Sequence, residues 1–150
     1  MISFPCFKIE TEFDIYDVIS YQLTINESRK DLSKLYDRVK EYAGSGDRLL
    51  DLYCGAGTIG IYLSDNFKYI DGIEVNSDAV CGANLNKKIN DITNINFECK
   101  RASQLVNIDY NVIVVDPPRA GLDGTTINNL LCSNAKKIVY VSCNPITLAR

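Results

Sequence analysis

Short apolar segments recur along the chain from residue 48 onward, and helix-type sequence separates most of them. Two of these segments, Arg48–Tyr53 (RLLDLY) and Asn111–Asp116 (NVIVVD), consist mostly of apolar residues. Strands of this kind are typical of a sheet covered on both faces, and their alternation with helices predicts an α/β fold with a doubly wound, mostly parallel sheet. The predicted strands are Arg48–Tyr53, Tyr69–Val75, Asn94–Cys99, Asn111–Asp116 and Lys137–Ser142.

The helices are predicted by apolar residues that fall on one helical face and by turn or cap residues at their ends. Asn76 or Ser77 is expected to cap the third helix, and two lysines lie in its last turns. In sheets of this type the ligand binds at the carboxyl ends of the strands, where the strand order reverses. We therefore expect Arg48–Tyr53 to be central, with Asn111–Asp116 beside it. The predicted helices are Glu27–Tyr42, Thr58–Leu63, Ser77–Asn90 and Gly124–Ser133.

The two ends of the chain are less regular. Residues 1–26 alternate only loosely and predict an extended segment of uncertain packing, which leaves residues 27–150 as the main domain. The last residues, from Ser142 to Arg150, are typical of a strand exit, a loop and the first turn of a helix. We therefore expect this domain to be truncated at its C-terminus.

Composition restricts the classes of function. The 150 residues carry 16 Lys+Arg against 19 Asp+Glu, a net charge of −3, whereas a protein that grips nucleic acid over its whole surface is normally basic. There is no histidine, and none of the six cysteines forms a C-x-x-C pair, so we expect no metal in this chain and no imidazole catalysis. The N-terminus lacks a signal-peptide pattern and no apolar run reaches about 18 residues, so we expect a cytoplasmic protein without a membrane segment.

The first motif of chemical interest is the glycine-rich turn after the first strong strand, Asp51-Leu-Tyr-Cys-Gly-Ala-Gly-Thr58. Gly55 and Gly57 let the backbone turn sharply and approach a ligand closely. Gly60 completes the G-x-G-x-x-G spacing of dinucleotide-binding proteins, so a nicotinamide-cofactor enzyme stays open at this point. Glu74 ends the next strand, where an acidic side chain can accept both hydroxyls of an adenosine ribose. NAD and S-adenosylmethionine share that feature.

The second motif, Asp116-Pro-Pro-Arg-Ala-Gly-Leu122, directly follows an apolar strand. The two prolines stiffen the loop that presents the Asp116 carboxylate. Adenine amino-methyltransferases have a similar D-P-P followed by an aromatic residue that stacks on the base. Arg119 stands in that place here, which disfavours an exocyclic amine as the target, and nicotinamide enzymes have no need of this loop.

The third motif, Ser142-Cys-Asn-Pro145, also follows a strand. A cysteine in a stiff loop at this edge can have a lowered pKa, and a thiolate is a strong nucleophile. Cys143 is therefore the candidate nucleophile. The other five cysteines are expected to be small buried hydrophobic residues, with Cys54 the least certain because it lies in the ligand loop.

Taken together, these motifs resemble the RNA (uracil-5-)-methyltransferase family, which methylates carbon 5 of uridines in tRNA or 23S rRNA. The resemblance runs from about Asp51 to Arg150 and more loosely back to Glu27. It implies a Rossmann-like methyltransferase fold, S-adenosylmethionine as methyl donor, and RNA (rRNA or tRNA) as the partner. Of the site residues, it implies that Cys143 is the nucleophile and that Tyr53, Glu74 and Asp116 line the donor site.

Five residues have further candidate roles in catalysis, donor binding or RNA binding. Asp116 is a second candidate catalytic residue, Gly55 and Gly57 are candidate donor-binding residues, and Arg119 and Asn144 are candidates for contacting the RNA. In the family, a Glu well beyond the S-C-N-P loop removes the proton from carbon 5. The chain ends before that point, so residues 1–150 alone are expected to be inactive.

Two departures from the family pattern bear on donor binding. The family's Gln-x-Asn segment reads Ile25-Asn-Glu-Ser28 here, and Lys100-Arg-Ala-Ser103 replaces a stretch that often holds an acidic residue.

The sequence leaves two alternative functions open. An RNA cytosine-5 methyltransferase uses the same thiol chemistry but usually carries D-A-P-C where this chain has Arg119. A non-catalytic fragment that binds S-adenosylmethionine is the other.

Overall fold

The computed structural model describes residues 6–10, 15–20 and 29–142, and within them it forms an α/β fold. Two short 3₁₀ turns, Ser64–Asn66 and Ala102–Gln104, lie in the connections. The strands are β1 Cys6–Glu10, β2 Ile15–Ser20, β3 Gly46–Leu52, β4 Phe67–Glu74, β5 Ile95–Cys99, β6 Val112–Val115 and β7 Lys137–Ser142. The helices are α1 Arg29–Ala43, α2 Thr58–Tyr62, α3 Ser77–Ile89 and α4 Gly124–Leu131.

All of these strands belong to one sheet, in the order β1-β2-β7-β6-β3-β4-β5. Neighbouring strands are parallel except β1 and β2, which are antiparallel. β3 lies between β4 and β6, so the predicted adjacency of the Arg48–Tyr53 and Asn111–Asp116 segments is confirmed. The strand order reverses at β3, because β4 and β5 extend the sheet to one side of it and β6 and β7 to the other.

The N-terminal strands join the sheet next to its last strand in sequence. β2 pairs in parallel with β7, with Asp17 opposite Val139 and Ser20 opposite Ser142. β1 then pairs with β2 and forms the outer edge of the described sheet. The sequence left the packing of this segment open, and the structure assigns it to the β7 side. The domain division between residues 26 and 27 stays a prediction.

The sheet separates two apolar layers. On one face, Leu49, Ile70 and Val114 pack with buried side chains of α1, α2 and α3. On the other face, Leu50 and Val115 belong to a cluster that includes α4 and the connection between β5 and β6. Because both faces are covered, the strands between them carry apolar residues with little alternation, as the sequence pattern predicted.

Two helices begin at residues whose side chains cap the first backbone N–H groups. The Asn76 side chain accepts hydrogen bonds from the N–H groups of Asp78 and Ala79, and this confirms Asn76 as the cap of α3. The Asp123 side chain caps α4 by accepting from the N–H of Thr126. β4 begins at Phe67, two residues earlier than predicted from Tyr69, because the Phe67 ring is buried in the core.

The expectation that the remaining cysteines are buried is wrong for three of them. Cys54 is buried, but Cys81, Cys99 and Cys132 are exposed. Cys81 lies in α3, Cys99 is the last residue of a strand at the sheet edge, and Cys132 follows the end of α4. The preference of free cysteine for the interior is statistical, and these positions do not face a core.

Candidate functional site

The ligand loop begins directly after β3. Tyr53, Gly55 and Gly57 have φ angles of 60°, 52° and 78°, so three residues of a five-residue loop lie in the left-handed region. The N–H of Gly57 donates to the Cys54 carbonyl at 2.8 Å, and the N–H of Cys54 donates to the Ile73 carbonyl at 3.1 Å. The loop is therefore a tight turn anchored to the neighbouring strand β4.

The two predicted glycines of this loop have different surroundings. A Cβ at Gly55 would meet nothing within 4 Å, whereas a Cβ at Gly57 would lie 2.5 Å from the ring of Phe97. Gly57 is therefore required by packing inside the fold. Gly55 borders open space at the carboxyl edge of the sheet, as a residue beside a ligand should.

Glu74 closes this loop from the end of β4. Its carboxylate accepts the N–H of Gly55 at 3.1 Å through Oε2 and the N–H of Asn76 at 2.9 Å through Oε1. Each carboxylate oxygen can accept a second hydrogen bond, so two acceptor positions remain on a partly buried side chain. This donor–acceptor chemistry fits a pair of neighbouring hydroxyls, such as those of a ribose.

Asp116 lies at the same edge, at the end of β6. Its N–H donates to the Leu52 carbonyl at 3.3 Å, which joins the start of the Asp-Pro-Pro-Arg loop to the end of β3. Burial raises the pKa of the Asp116 carboxyl to about 6. Further along the loop, the N–H of Gly121 donates to the Pro118 carbonyl and closes a turn, and Arg119 is exposed.

Asp51 is a site residue that the sequence analysis did not identify. It is 0% exposed, its Oδ2 accepts the N–H of Gly60 at 2.9 Å, and its Oδ1 has no partner among the described residues. Burial raises its pKa to about 7; the Gly60 hydrogen bond opposes this rise, and the nearby carboxyls of Asp116 and Glu74 add to it. A charged residue inside the apolar run RLLDLY was the signal that could have found it.

The close approach of Asp51 also explains why position 60, the third glycine of the turn, is a glycine. A Cβ there would lie 3.1 Å from Oδ2 of Asp51, so a larger residue would crowd the buried carboxyl. Close packing of helix on strand is also the role of the third glycine in dinucleotide-binding turns. The G-x-G-x-x-G spacing therefore does not distinguish NAD from S-adenosylmethionine.

Two half-buried tyrosines border the site on the α4 side. Burial raises the pKa of Tyr53, the Thr126 side chain lowers it by hydrogen bonding, and Asp123 and Glu74 raise it further. Burial likewise raises the pKa of Tyr140 on β7, with added contributions from Tyr53 and Asp116. Tyr53 was a predicted site residue. Tyr140 was not, because nothing in the strand KIVYVS distinguishes it from an ordinary core aromatic.

The remaining candidates, Cys143 and Asn144, lie outside the described residues. β7 ends at Ser142 and runs parallel to β6, with Tyr140 opposite Val115. The strand that precedes Cys143 therefore ends at the same edge of the sheet as Asp116.

A surface hollow lies toward the opposite, amino ends of β3, β4 and β5. Its lining includes Arg48, Tyr69, Lys87 and Asn94. The Arg48 guanidinium is already engaged, because it donates to the Asp109 carbonyl and stacks 4.4 Å from the centre of the Tyr110 ring. Asp71, the acidic residue of the lining, is engaged as well, because its Oδ2 accepts hydrogen bonds from Arg48 and Tyr110. The hollow also lacks a glycine turn, so the carboxyl edge is the better candidate site.

Comparison with known proteins gives the family. A sequence profile of the tRNA (uracil-5-)-methyltransferase family matches residues 28–107 and 96–150. The chain belongs to this family. The family resemblance predicted from the motifs is therefore confirmed.

Relatives of the family extend well beyond the length of this chain. An uncharacterized RNA methyltransferase of Enterococcus faecalis is 41% identical over 149 residues, which cover 94% of this chain and 33% of the relative. A homologue from Staphylococcus aureus strain MSSA476, also named an uncharacterized RNA methyltransferase, is 38% identical over 149 residues and is matched over 32% of its length. The chain thus spans about a third of the length of these relatives.

Solved structures agree with this assignment. The Pyrococcus abyssi tRNA (uracil-54, C5)-methyltransferase, crystallised with S-adenosyl-L-homocysteine, matches with a TM-score of 0.75 and 31% identity, over 97% of this chain and 36% of that one. A methyltransferase from Thiobacillus denitrificans matches at 19% identity with a TM-score of 0.58, over 75% of this chain and 47% of that one, and supports the fold alone. The predicted Rossmann-like methyltransferase fold is confirmed.

Two further findings concern the described residues. None of their helices is both long and apolar enough to cross a membrane. Nor do three or more of their metal-ligating side chains come together as a group.

The two glycines provide a test of this description of the loop. Gly57→Ala would combine a left-handed backbone with a collision against Phe97, whereas Gly55→Ala would bear only the backbone strain. We expect Gly55→Ala to lower the free energy of unfolding by about 1–2 kcal/mol and Gly57→Ala by at least about 1 kcal/mol more. Urea denaturation of the two variants measures the difference, and equal losses would contradict the packing role of Gly57.

Proposed function

We propose that this chain carries the donor site and the nucleophile of an S-adenosylmethionine-dependent enzyme that methylates carbon 5 of a uridine in RNA. The observation that carries the proposal is the meeting of the glycine turn, Glu74 and Asp116 at the switch-point edge of a chain that belongs to the uracil-5 family. The RNA is tRNA or 23S rRNA, and the protein meets it in the cytoplasm.

The residues present fit the methyl donor. S-adenosylmethionine carries two neighbouring ribose hydroxyls, for which Glu74 offers two acceptor positions. It also carries a positively charged sulfonium, and the three carboxyls of Asp51, Glu74 and Asp116 make this edge acidic. Gly55 leaves open space beside them. The donor supplies an electrophilic methyl group, and the protein supplies the acceptor positions and the charge.

Cys143 provides the chemistry that the uracil ring needs. Carbon 5 of uracil is a poor nucleophile, and addition of the Cys143 thiolate to carbon 6 turns it into the nucleophilic carbon of an enolate. Carbon 5 then forms a bond to the methyl group of the donor, whose sulfur leaves as the neutral thioether. Removal of the remaining proton from carbon 5 by a base breaks the bond between carbon 6 and sulfur, expels the cysteine and restores the ring. Arg119, exposed on the Asp-Pro-Pro-Arg loop, and Asn144 contact the RNA in this proposal.

A cytosine-5 methyltransferase is the closest chemical alternative. Support for uracil comes from Arg119, which stands where cytosine enzymes usually carry a cysteine, and from the similarity to the Pyrococcus abyssi tRNA (uracil-54, C5)-methyltransferase. Analysis of the methylated nucleoside separates the two, because one enzyme yields 5-methyluridine and the other 5-methylcytidine.

The donor site is tested by Glu74→Ala. Loss of hydrogen bonds to a charged acceptor is expected to weaken S-adenosylmethionine binding by about 1.5–3 kcal/mol, which is about tenfold to a hundredfold in Kd. Calorimetric titration of the chain measures this effect. Glu98→Ala is the matched control, because Glu98 is an exposed carboxylate on the neighbouring strand β5. Tight binding of NAD with none of S-adenosylmethionine would reverse the proposal.

The nucleophile is tested in the full-length gene product that contains residues 1–150. Cys143→Ser is expected to abolish formation of 5-methyluridine in tRNA or rRNA, because an unactivated hydroxyl is a far weaker nucleophile than a thiolate. RNA that carries 5-fluorouridine should trap the wild-type protein as a covalent adduct, since fluorine cannot leave as a proton does. Cys132→Ser, which changes an exposed cysteine at the end of α4, should keep full activity. Activity that survives Cys143→Ala would remove the thiol mechanism.

A further inference from the structure

Three carboxyl groups lie near one another at the carboxyl ends of three adjacent strands. Asp51 of β3 pairs with Gly72 of β4 and with Val114 of β6. Glu74 and Asp116 each follow these partners by two residues. Because side chains alternate between the two faces of a sheet, the carboxyls of Asp51 and Glu74 belong to the same face. Asp116 directly follows the last residue of β6, and its carboxyl is near enough to raise the pKa of Asp51. Asp51 is thus the buried floor of a small acidic cluster, and Glu74 and Asp116 form its rim.

The floor of this cluster lacks a compensating positive charge in the part of the chain that the structure describes. The groups that face Asp51 are Glu74 from β4, Asp116 from the loop after β6, the Gly60 amide from α2 and the Cys54 thiol from the ligand loop. One of these, the Gly60 N–H, donates a hydrogen bond, and Oδ1 of Asp51 receives none from the described residues. An ionised carboxylate is costly in such surroundings unless a cation joins it.

The methyl donor and its demethylated product differ in the positive charge that they would bring to this acidic cluster. S-adenosylmethionine and its demethylated product share the adenosine, the ammonium and the carboxylate, so the ribose contact of Glu74 serves both equally. They differ by the positive charge on sulfur, which the product has lost. In a poorly solvated site one unit of charge has a large effect on the energy of a nearby carboxyl.

We propose that Asp51 distinguishes the methyl donor from its product by charge, releasing a proton when the sulfonium binds and regaining one when the neutral thioether remains. This inference rests on the proposed function, because it assumes that the donor occupies this edge. On binding, the O–H bond of Asp51 breaks, the proton goes to solvent and the electron pair stays on the carboxylate. After methyl transfer the carboxylate takes a proton from solvent, and no redox step is involved.

The proposal predicts the direction of the pH dependence. The pKa of Asp51 in the ligand-free chain is about 7, so the carboxyl is largely protonated below that pH and must lose its proton for the donor to bind well. Affinity for S-adenosylmethionine should therefore rise with pH between 6 and 8, by at most about tenfold per pH unit for one proton. Affinity for S-adenosylhomocysteine should change much less.

Calorimetry in two buffers of different ionisation enthalpy measures the protons directly. The full chain is titrated at pH 7 with S-adenosylmethionine and, separately, with S-adenosylhomocysteine. With a pKa of about 7, we expect release of about half a proton per donor bound and almost none for the product. Binding of both ligands with the same proton count would overturn this inference and leave the proposed function intact. Binding of neither ligand would overturn the donor site itself.

Variants assign the proton to its residue. Asp51→Asn keeps an acceptor for the Gly60 N–H and should abolish the difference in proton release between the two ligands. Asp47→Asn changes an exposed carboxylate at the other end of the same strand and should leave the difference unchanged. Proton release that persists in Asp51→Asn would assign it to another group and contradict the proposal.

Infrared spectroscopy of the wild-type chain detects the loss of a carboxyl proton without relying on the folding of a variant. The carbonyl band of a protonated carboxyl should disappear when S-adenosylmethionine binds and persist when S-adenosylhomocysteine binds. A band unchanged by both ligands would contradict the proposal.

Discussion

The hydrogen bond between the Gly60 amide and the buried Asp51 carboxyl determines where the ligand loop leaves the sheet. It joins α2 to β3 across the loop at 2.9 Å, and the absence of a side chain at Gly60 lets the two elements approach that closely. The residues between these two fixed points must reverse direction within a few peptide units. The left-handed conformations of Tyr53, Gly55 and Gly57 meet that requirement. The open space beside Gly55 at the edge of the sheet depends on this packing.

This arrangement has a cost in stability. Folding raises the pKa of Asp51 to about 7 from an ordinary value of 3.8, so the folded chain holds this proton more tightly than the unfolded chain does. The contribution of Asp51 to stability is therefore complete below the lower value and is lost as the pH rises through about 7. Carboxyls with such raised pKa values are common at functional sites, where a carboxylate can bind a cationic ligand although it destabilises the fold at neutral pH.

Much of the sheet could be predicted because its signals are local. Apolar runs mark β3 and β6, the glycine turn marks the end of β3, and Asn76 marks the start of α3. The pairing of β2 with β7 could not be predicted, since residues 15–20 and 137–142 are far apart in sequence and the N-terminal segment alternates too weakly to specify a partner. The family motifs pointed to Glu74 and Asp116, which the structure brings to one edge. Asp51 stands out in the sequence as the charged residue of the apolar run RLLDLY, but only the structure shows that its side chain is buried and that its Oδ1 has no partner among the described residues.

The most direct test of the account is to locate the methyl donor on the chain by nuclear magnetic resonance. Isotope-labelled protein is titrated with S-adenosylmethionine, and the backbone amide shifts are followed residue by residue. We expect the largest shifts in the loop of Gly55, around Glu74 and at Asp116, at the carboxyl ends of β3, β4 and β6. Shifts confined to the hollow around Arg48, Tyr69 and Asn94, at the opposite ends of the strands, would contradict that expectation.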